Sequence, residues 1–119
     1  MFSLNRAEII GNLGADPEIR TFQNGGRVAT FRVATNNSYK DREGNWKDVA
    51  QWHTVVVFDD HLIKRIDKRL QKGTKVHVTG AMETREYDKD GQTHKVTEIV
   101  LRPFGNGDII LLDAWIAES

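Results

Sequence analysis

Large aromatic side chains set among lysine and arginine are the residues of this sequence that could carry a binding chemistry. In residues 51–58 (QWHTVVVF), strand alternation puts Trp52 and Phe58 on one face and His53 on the other. One face of such a strand usually packs into the core, and the second is usually polar. Two large rings on the second face are therefore either additional packing or a surface that contacts a ligand.

Similar rings recur at strand ends beside basic residues. For one ring taken alone, burial in the core is the more frequent role, because aromatics supply much of the packing area. For the set, exposed rings that stack bases at about 1–3 kcal/mol each, with cations nearby for phosphates, are the better explanation. Duplex DNA hides its base faces, so such a surface would select single strands. The candidate stacking residues are Tyr39, Trp46, Trp52, Phe58 and Tyr87.

Catalytic and metal-binding arrangements do not stand out. The four histidines are scattered and show neither H-x-H nor H-E-x-x-H spacing. Asp59-Asp60-His61 could be imagined as a metal site, but it stands where a helix N-cap belongs. Residues 72–75 (KGTK) follow a predicted helix rather than a strand, so they do not form a phosphate-binding loop. The sequence predicts no enzyme activity, no metal and no cofactor.

Length and composition place the chain in a broad class. Its 119 residues suit one domain with its own core, and the absence of cysteine fits a reducing compartment. No apolar run approaches the ~20 residues of a membrane span, and residues 1–10 lack the pattern of a signal peptide. We expect a cytoplasmic protein. The formal net charge is zero, from 17 basic and 17 acidic residues, which neither supports nor excludes a local basic groove.

Strand signals dominate the sequence. The turn signals are Asn24-Gly25-Gly26 and Asp90-Gly91. Alternating or apolar runs predict strands over residues 6–13, 18–22, 28–35, 50–58, 75–87, 92–102 and 109–112, and a charged loop or hairpin tip over 39–48.

A single helix is predicted over residues 60–72 from an apolar stripe at helical spacing. Asp59 or Asp60 can cap its start, and Gly73 stands where a left-handed C-terminal residue belongs. The stripe consists of Leu62, Ile63, Ile66 and Leu70. One helix inserted between the third and fourth main strands is the layout of an OB fold. We therefore predict an all-β protein with one helix, a five-stranded OB-fold barrel with extended β-hairpins.

Short motifs recur along most of the sequence, from about residue 5 to 112. They are IGNLGADPE (10–18), NGG (24–26), FRVAT (31–35), WHxVVxF (52–58), KGxxVxVxG (72–80), TRxY (84–87), DGQ (90–92) and TE (97–98). Each motif alone is weak, but their combination is specific, and with it the sequence resembles the bacterial single-stranded DNA-binding protein family.

The resemblance implies an OB fold that binds single-stranded DNA without sequence preference, usually as a homotetramer, in replication, recombination and repair. It implies association with the nucleoid and a subunit interface at His53, for which the alternative is a core-edge histidine satisfied within its own chain. Bases would stack on Tyr39, Trp52, Phe58 and Tyr87; Trp46 is our own addition to that set.

The sequence departs from the family in charge and at its end. The family often has basic residues where this chain has Thr54, Asp60 and Glu86, so we expect weaker binding with a flatter salt dependence. Members usually carry a long flexible tail whose acidic-hydrophobic tip recruits replication and repair enzymes, and residues 113–119 (DAWIAES) put that recruitment in doubt. The candidate phosphate contacts are Arg6, Arg20, Arg32, Lys40, Arg42, Lys47, Lys72, Arg85 and Lys89.

The sequence thus predicts an OB-fold single-stranded DNA-binding domain over residues 1–112 and a short C-terminal extension over 113–119. The alternative is an OB-fold protein–protein interaction module of the replication-restart accessory type, which would present the same aromatic face to a protein. Zero net charge favours this alternative, and the interleaving of rings with cations favours DNA.

Overall fold

A computed structural model describes residues 2–112 of the chain. The predicted extension over residues 113–119 lies outside the described residues, as does Met1. Secondary structure within residues 2–112 consists of seven strands and one helix. In chain order these are β1 (Ala7–Leu13), β2 (Glu18–Thr21), β3 (Arg27–Lys40), β4 (Trp46–Val57), α1 (Asp60–Ile66), β5 (Lys75–Lys89), β6 (Gln92–Leu101) and β7 (Asp108–Leu111).

Five of the strands close into a barrel. Strand β3 pairs with β1 and β4, β4 pairs with β6, β6 pairs with β5, and β5 returns to β1. The β4–β6 pair is parallel and the other four are antiparallel. Strands β2 and β7 add to the outside of this ring, on β3 and β5. The predicted five-stranded OB barrel is confirmed.

The core lies inside the barrel and is built from alternate strand positions. Val55 and Val57 of β4 are fully buried, and Ala29, Phe31 and Val33 of β3 fill the same interior. The intervening positions of both strands turn outward, because side chains alternate faces along a strand. The predicted alternation of β3 and β4 is therefore confirmed.

Helix α1 packs against β3 and β4 and extends the core. The Asp59 carboxylate caps its start by accepting a hydrogen bond from the His61 backbone N–H at 3.0 Å. Leu62, Ile63 and Ile66 are buried against the barrel, as the apolar stripe predicts.

The predicted helix end at residue 72 is wrong. The helix ends at Ile66, whose carbonyl accepts both the Arg69 N–H at 3.0 Å and the Leu70 N–H at 2.9 Å, so a single further turn follows before the chain leaves the helix. Leu70 stays buried beyond the helix. Gly73 has the predicted positive φ of 90°, but it belongs to the turn that enters β5, where its N–H donates to the Leu13 carbonyl at 2.9 Å.

Residues 39–48, predicted as a loop or hairpin tip, are mostly strand. Strands β3 and β4 stay paired out to Lys40 opposite Trp46, so only residues 41–45 form the tip. The Asp41 carboxylate closes this tip by accepting two backbone N–H groups at 2.9 and 2.8 Å. This arm is exposed on both faces, which explains why its sequence is charged rather than alternating. A second arm, β5–β6, turns at Asp90 and Gly91, whose φ angles of 54° and 78° are those of the predicted Asp-Gly hairpin.

Candidate nucleic-acid interface

One outward surface of the barrel crosses β2, β3, β4, β6 and β5. The cross-strand pairs Thr30–Val56 and Val56–Val100 show that these strands present a common side. A groove floored by valine and threonine runs through it. We call this surface the outer face; it consists of Glu18, Arg20, Val28, Thr30, Arg32, Trp52, Thr54, Val56, Phe58, Glu83, Arg85, Tyr87, Glu98, Val100 and Arg102.

Trp52 lies on the outer face and is 48% exposed. The Arg32 guanidinium carbon lies 4.9 Å from its ring centroid, a cation–π contact between neighbouring strands. Gly14 leaves room for the indole, because a methyl group added there would come within 2.6 Å of Trp52 Cη2. Trp52 is thus held from its sides while a large part of the ring stays open to solvent, which is the geometry of a stacking platform.

Phe58 follows β4 on the same face and is half-buried. The Arg102 guanidinium carbon lies 4.8 Å from its ring centroid. Sequence reasoning missed Arg102, which comes directly after β6. The period-two spacing from Glu98 through Val100 to Arg102 was the signal that could have placed it on this face.

Tyr87 lies on the β5–β6 arm, 42% exposed. Its ring stacks on that of His94, directly across the arm, with centroids 5.3 Å apart and an interplanar angle of 23°. The Arg85 guanidinium carbon lies 5.7 Å from the Tyr87 centroid. Tyr87 therefore repeats the combination of an exposed ring and an adjacent arginine seen at Trp52, whereas the ring of Phe58 has the arginine but is half-buried.

The other two predicted stacking residues lie on the β3–β4 arm. Trp46 shares the alternation of Trp52, is 71% exposed, and has the Lys40 ammonium 5.9 Å from its ring centroid. Tyr39 is paired with Lys47 across the arm and therefore lies on the face opposite to Trp46. Along the arm, Trp46 thus continues the side of β4 that carries Trp52, and Tyr39 lies on the reverse side.

Three of the nine predicted phosphate contacts, Arg20, Arg32 and Arg85, lie on the outer face. Arg20 pairs with Glu18 at 3.0 Å and Arg85 with Glu98 at 2.9 Å. Arg32 contacts Trp52 and forms no ion pair within residues 2–112. The remaining six lie before β1 (Arg6), on the β3–β4 arm (Lys40, Arg42, Lys47), before β5 (Lys72) and at the end of the β5–β6 arm (Lys89).

The three positions where the family often carries positive charge fall in different places. Thr54 lies on the outer face, opposite Arg32. Asp60 starts α1, and the hydrogen bond from Arg27, followed by that from Lys64, lowers the pKa of its carboxyl. Glu86 lies on the face of β5 opposite to Tyr87 and forms an ion pair with Lys95 at 3.8 Å.

His53 faces away from Trp52, as strand alternation predicts. Its Nε2 lies 2.9 Å from Thr35 Oγ1 across the β3–β4 pair, and the side chain is half-buried. Within residues 2–112 the imidazole therefore has a partner in its own chain.

Neither a metal cluster nor a membrane-spanning helix occurs in the described part of the chain. Residues 2–112 bring no three histidine, aspartate or glutamate side chains together as a metal site would require. In the same range no helix has the length and hydrophobicity to cross a bilayer.

Comparison with known proteins decides the family. Residues 4–106 match the Single-strand binding protein family. The chain belongs to this family. A solved structure of Plasmodium falciparum SSB in complex with ssDNA superimposes on 95% of the chain and 98% of its own length, with a TM-score of 0.86 and 39% identity. The resemblance noted in the sequence, and the OB fold it implies, are both confirmed.

Bacterial members of the single-strand binding protein family show the same relationship. The single-stranded DNA-binding protein of Rhizobium meliloti is 41% identical over 113 residues, and that of Rickettsia felis is 40% identical over 114 residues. These alignments cover 93% and 94% of this chain, but 64% and 74% of the relatives. The chain thus spans about two thirds to three quarters of the length of these relatives.

Proposed function

We propose that this protein binds single-stranded DNA without sequence preference. The observation that carries the proposal is the outer face, where the exposed rings of Trp52 and Tyr87 and the half-buried ring of Phe58 each have an arginine 4.8–5.7 Å away. Rings of this kind stack any base, while Arg32 and Arg102 can contact the phosphates between the bases. Trp46 extends the row along the β3–β4 arm, and Tyr39 would bind strand that passes behind that arm.

Membership of the single-strand binding protein family supports a role that is protective rather than catalytic. Its relatives are named single-stranded DNA-binding proteins, and the superimposed Plasmodium structure is a complex with ssDNA. We infer a non-enzymatic protein that covers transient single strands during replication, recombination and repair. Its setting would be the bacterial cytoplasm and nucleoid, with residues 1–112 as the binding domain.

Binding is tested with a variant that keeps Trp52 as its one tryptophan, Trp46→Phe/Trp115→Phe. Titration with poly(dT) should quench the indole fluorescence, and duplex DNA of equal concentration should not. In a plot of the logarithm of affinity against the logarithm of salt concentration, we expect a slope of about −1 to −3. Each neutralised phosphate contributes about −0.7 to this slope, and most outer-face arginines already form ion pairs with carboxylates, so few phosphates are neutralised.

Absence of quenching, together with no binding of labelled poly(dT) by fluorescence anisotropy, would reject the proposal. The protein–protein module would then be the better interpretation, since an outer face of paired charges also suits a protein partner.

We further propose that the chain forms a homotetramer, with His53 at a subunit interface. The support is the family and the position of His53 on the face of β4 opposite to Trp52. Sedimentation equilibrium at micromolar concentration should give about four times the 13.6 kDa chain mass. A single species of monomer mass would contradict assembly without bearing on DNA binding.

A further inference from the structure

Two arginines of the outer face are each held by a carboxylate in the same fork geometry. Arg102 donates from Nε and Nη2 to the two oxygens of Glu83 at 2.9 and 2.8 Å. Arg85 donates from Nε and Nη2 to the two oxygens of Glu98 at 2.9 and 3.3 Å. A phosphate offers a guanidinium the same two-oxygen arrangement. Each carboxylate therefore occupies the donors that a DNA phosphate would use.

The two pairs differ in how easily the carboxylate can leave. The Glu98 side chain is 8% exposed, so separation from Arg85 would leave a buried charge unpaired, which is strongly unfavourable. The Glu83 side chain is 38% exposed and can be rehydrated when its partner turns away. Arg102 is itself 56% exposed, so its guanidinium is accessible to a phosphate.

Glu83 is ionised at neutral pH. The hydrogen bond from Arg102 lowers the pKa of its carboxyl, against a smaller opposing effect of burial. Arg102 also lies over Phe58, one of the proposed stacking rings, so a phosphate bound to Arg102 would lie beside a base stacked on that ring. The Glu83 carboxylate thus stands at a position suited to a backbone phosphate.

We propose that Glu83 is a displaceable internal substitute for a DNA phosphate, which occupies Arg102 in the free protein and limits affinity for single strands. Glu98, by contrast, stays on Arg85 and positions it beside Tyr87. The inference rests on the proposed function and deepens it. In wild-type protein the displaced Glu83 carboxylate stays beside the bound strand and keeps a cation there, so the Arg102 contact adds little to the net number of cations released on binding.

The test compares Glu83→Gln with wild type in poly(dT) titrations at several salt concentrations. Glutamine keeps the shape of the side chain and removes the charge. Affinity at low salt should rise about threefold to tenfold, and the salt slope should steepen by about 0.7, the value for one additional phosphate on a single strand.

Two further variants separate local competition from general electrostatics. Asp108→Asn removes a carboxylate charge that is likewise paired with an arginine, Arg65 of α1, but lies on β7 outside the outer face, and it should leave the slope unchanged. In an Arg102→Gln background, Glu83→Gln should no longer steepen the slope, because the two substitutions act on one contact.

Three results would overturn the proposal: an unchanged slope in Glu83→Gln, an equal gain in Asp108→Asn, or a gain that persists without Arg102. Loss of folding in Glu83→Gln would also overturn it, since the pair would then serve stability rather than binding. Failure of wild-type protein to bind poly(dT) at any salt would instead reject the proposed function, so the two failures are distinguishable.

Discussion

Replacement of Trp52 by alanine is expected to weaken poly(dT) binding by about 5- to 150-fold, the range that corresponds to 1–3 kcal/mol for loss of one stacked base. The ring is 48% exposed on the outer face and has Arg32 against it, so it is available to a base without rearrangement of the barrel. The substitution removes the platform and one side of the Arg32 contact. It leaves Val55 and Val57, which fill the interior from the same strand, in place.

The same variant should remain folded. We expect a loss of about 1 kcal/mol or less in the free energy of unfolding, since large effects come from buried side chains. Ile110→Ala is the matched control, because it truncates an apolar residue that is also 48% exposed but lies on β7 outside the outer face, and it should leave affinity unchanged. A loss of 3–5 kcal/mol or so in Trp52→Ala, with collapse of the fold, would assign the indole to the core instead.

Local patterns in the sequence were sufficient to predict those strands and turns whose conformation depends on residues that are close along the chain. Alternation in residues 51–58 assigned Trp52 and Val55 to opposite faces because only one side of β4 meets the interior. Asp90-Gly91 identified the β5–β6 turn because its two positive φ angles suit these residue types. The family resemblance then supplied the arrangement of strands that periodicity alone cannot give.

The sequence was insufficient where the outcome depends on pairing across the sheet. In the β3–β4 arm, hydrogen-bonded pairing of the two strands continues to Lys40 and Trp46. Both strands are exposed on both faces there, so their sequences show no alternation of apolar and polar residues that would predict a strand. Arg102 and Glu83 are 19 residues apart, and their contact depends on the β5–β6 register. Residue type was enough to select lysines and arginines as candidate phosphate contacts. The sequence could not show which of these side chains already form ion pairs with carboxylates of the same chain.

Replacement of Gly11 by alanine is expected to destabilise the barrel by about 3 kcal/mol. Gly11 is buried in β1, beside the β1–β3 pair that closes the ring. An added methyl group would clash with the Ala34 carbonyl oxygen and come within 2.9 Å of the carbonyl carbon and 2.8 Å of Val33 Cγ1. The Ala34 group is backbone, so it cannot rotate away, and the two strands must separate. Thermal unfolding at fixed protein concentration should show a fall of roughly 12 °C, at about 4 °C per kcal/mol for a domain of this size.

Gly14→Ala is the matched comparison, since it adds the same methyl group three residues later in the same GNLG motif. Its clash is with the Trp52 ring, which is half exposed and can swing outward. We therefore expect a melting temperature near that of wild type and a weaker, displaced stacking contact, measured as reduced quenching by poly(dT). The two glycines should thus separate stability from binding. If Gly11→Ala has the melting temperature of wild type, β1 and β3 can separate without loss of stability. The β1–β3 pair would then not be required to close the barrel.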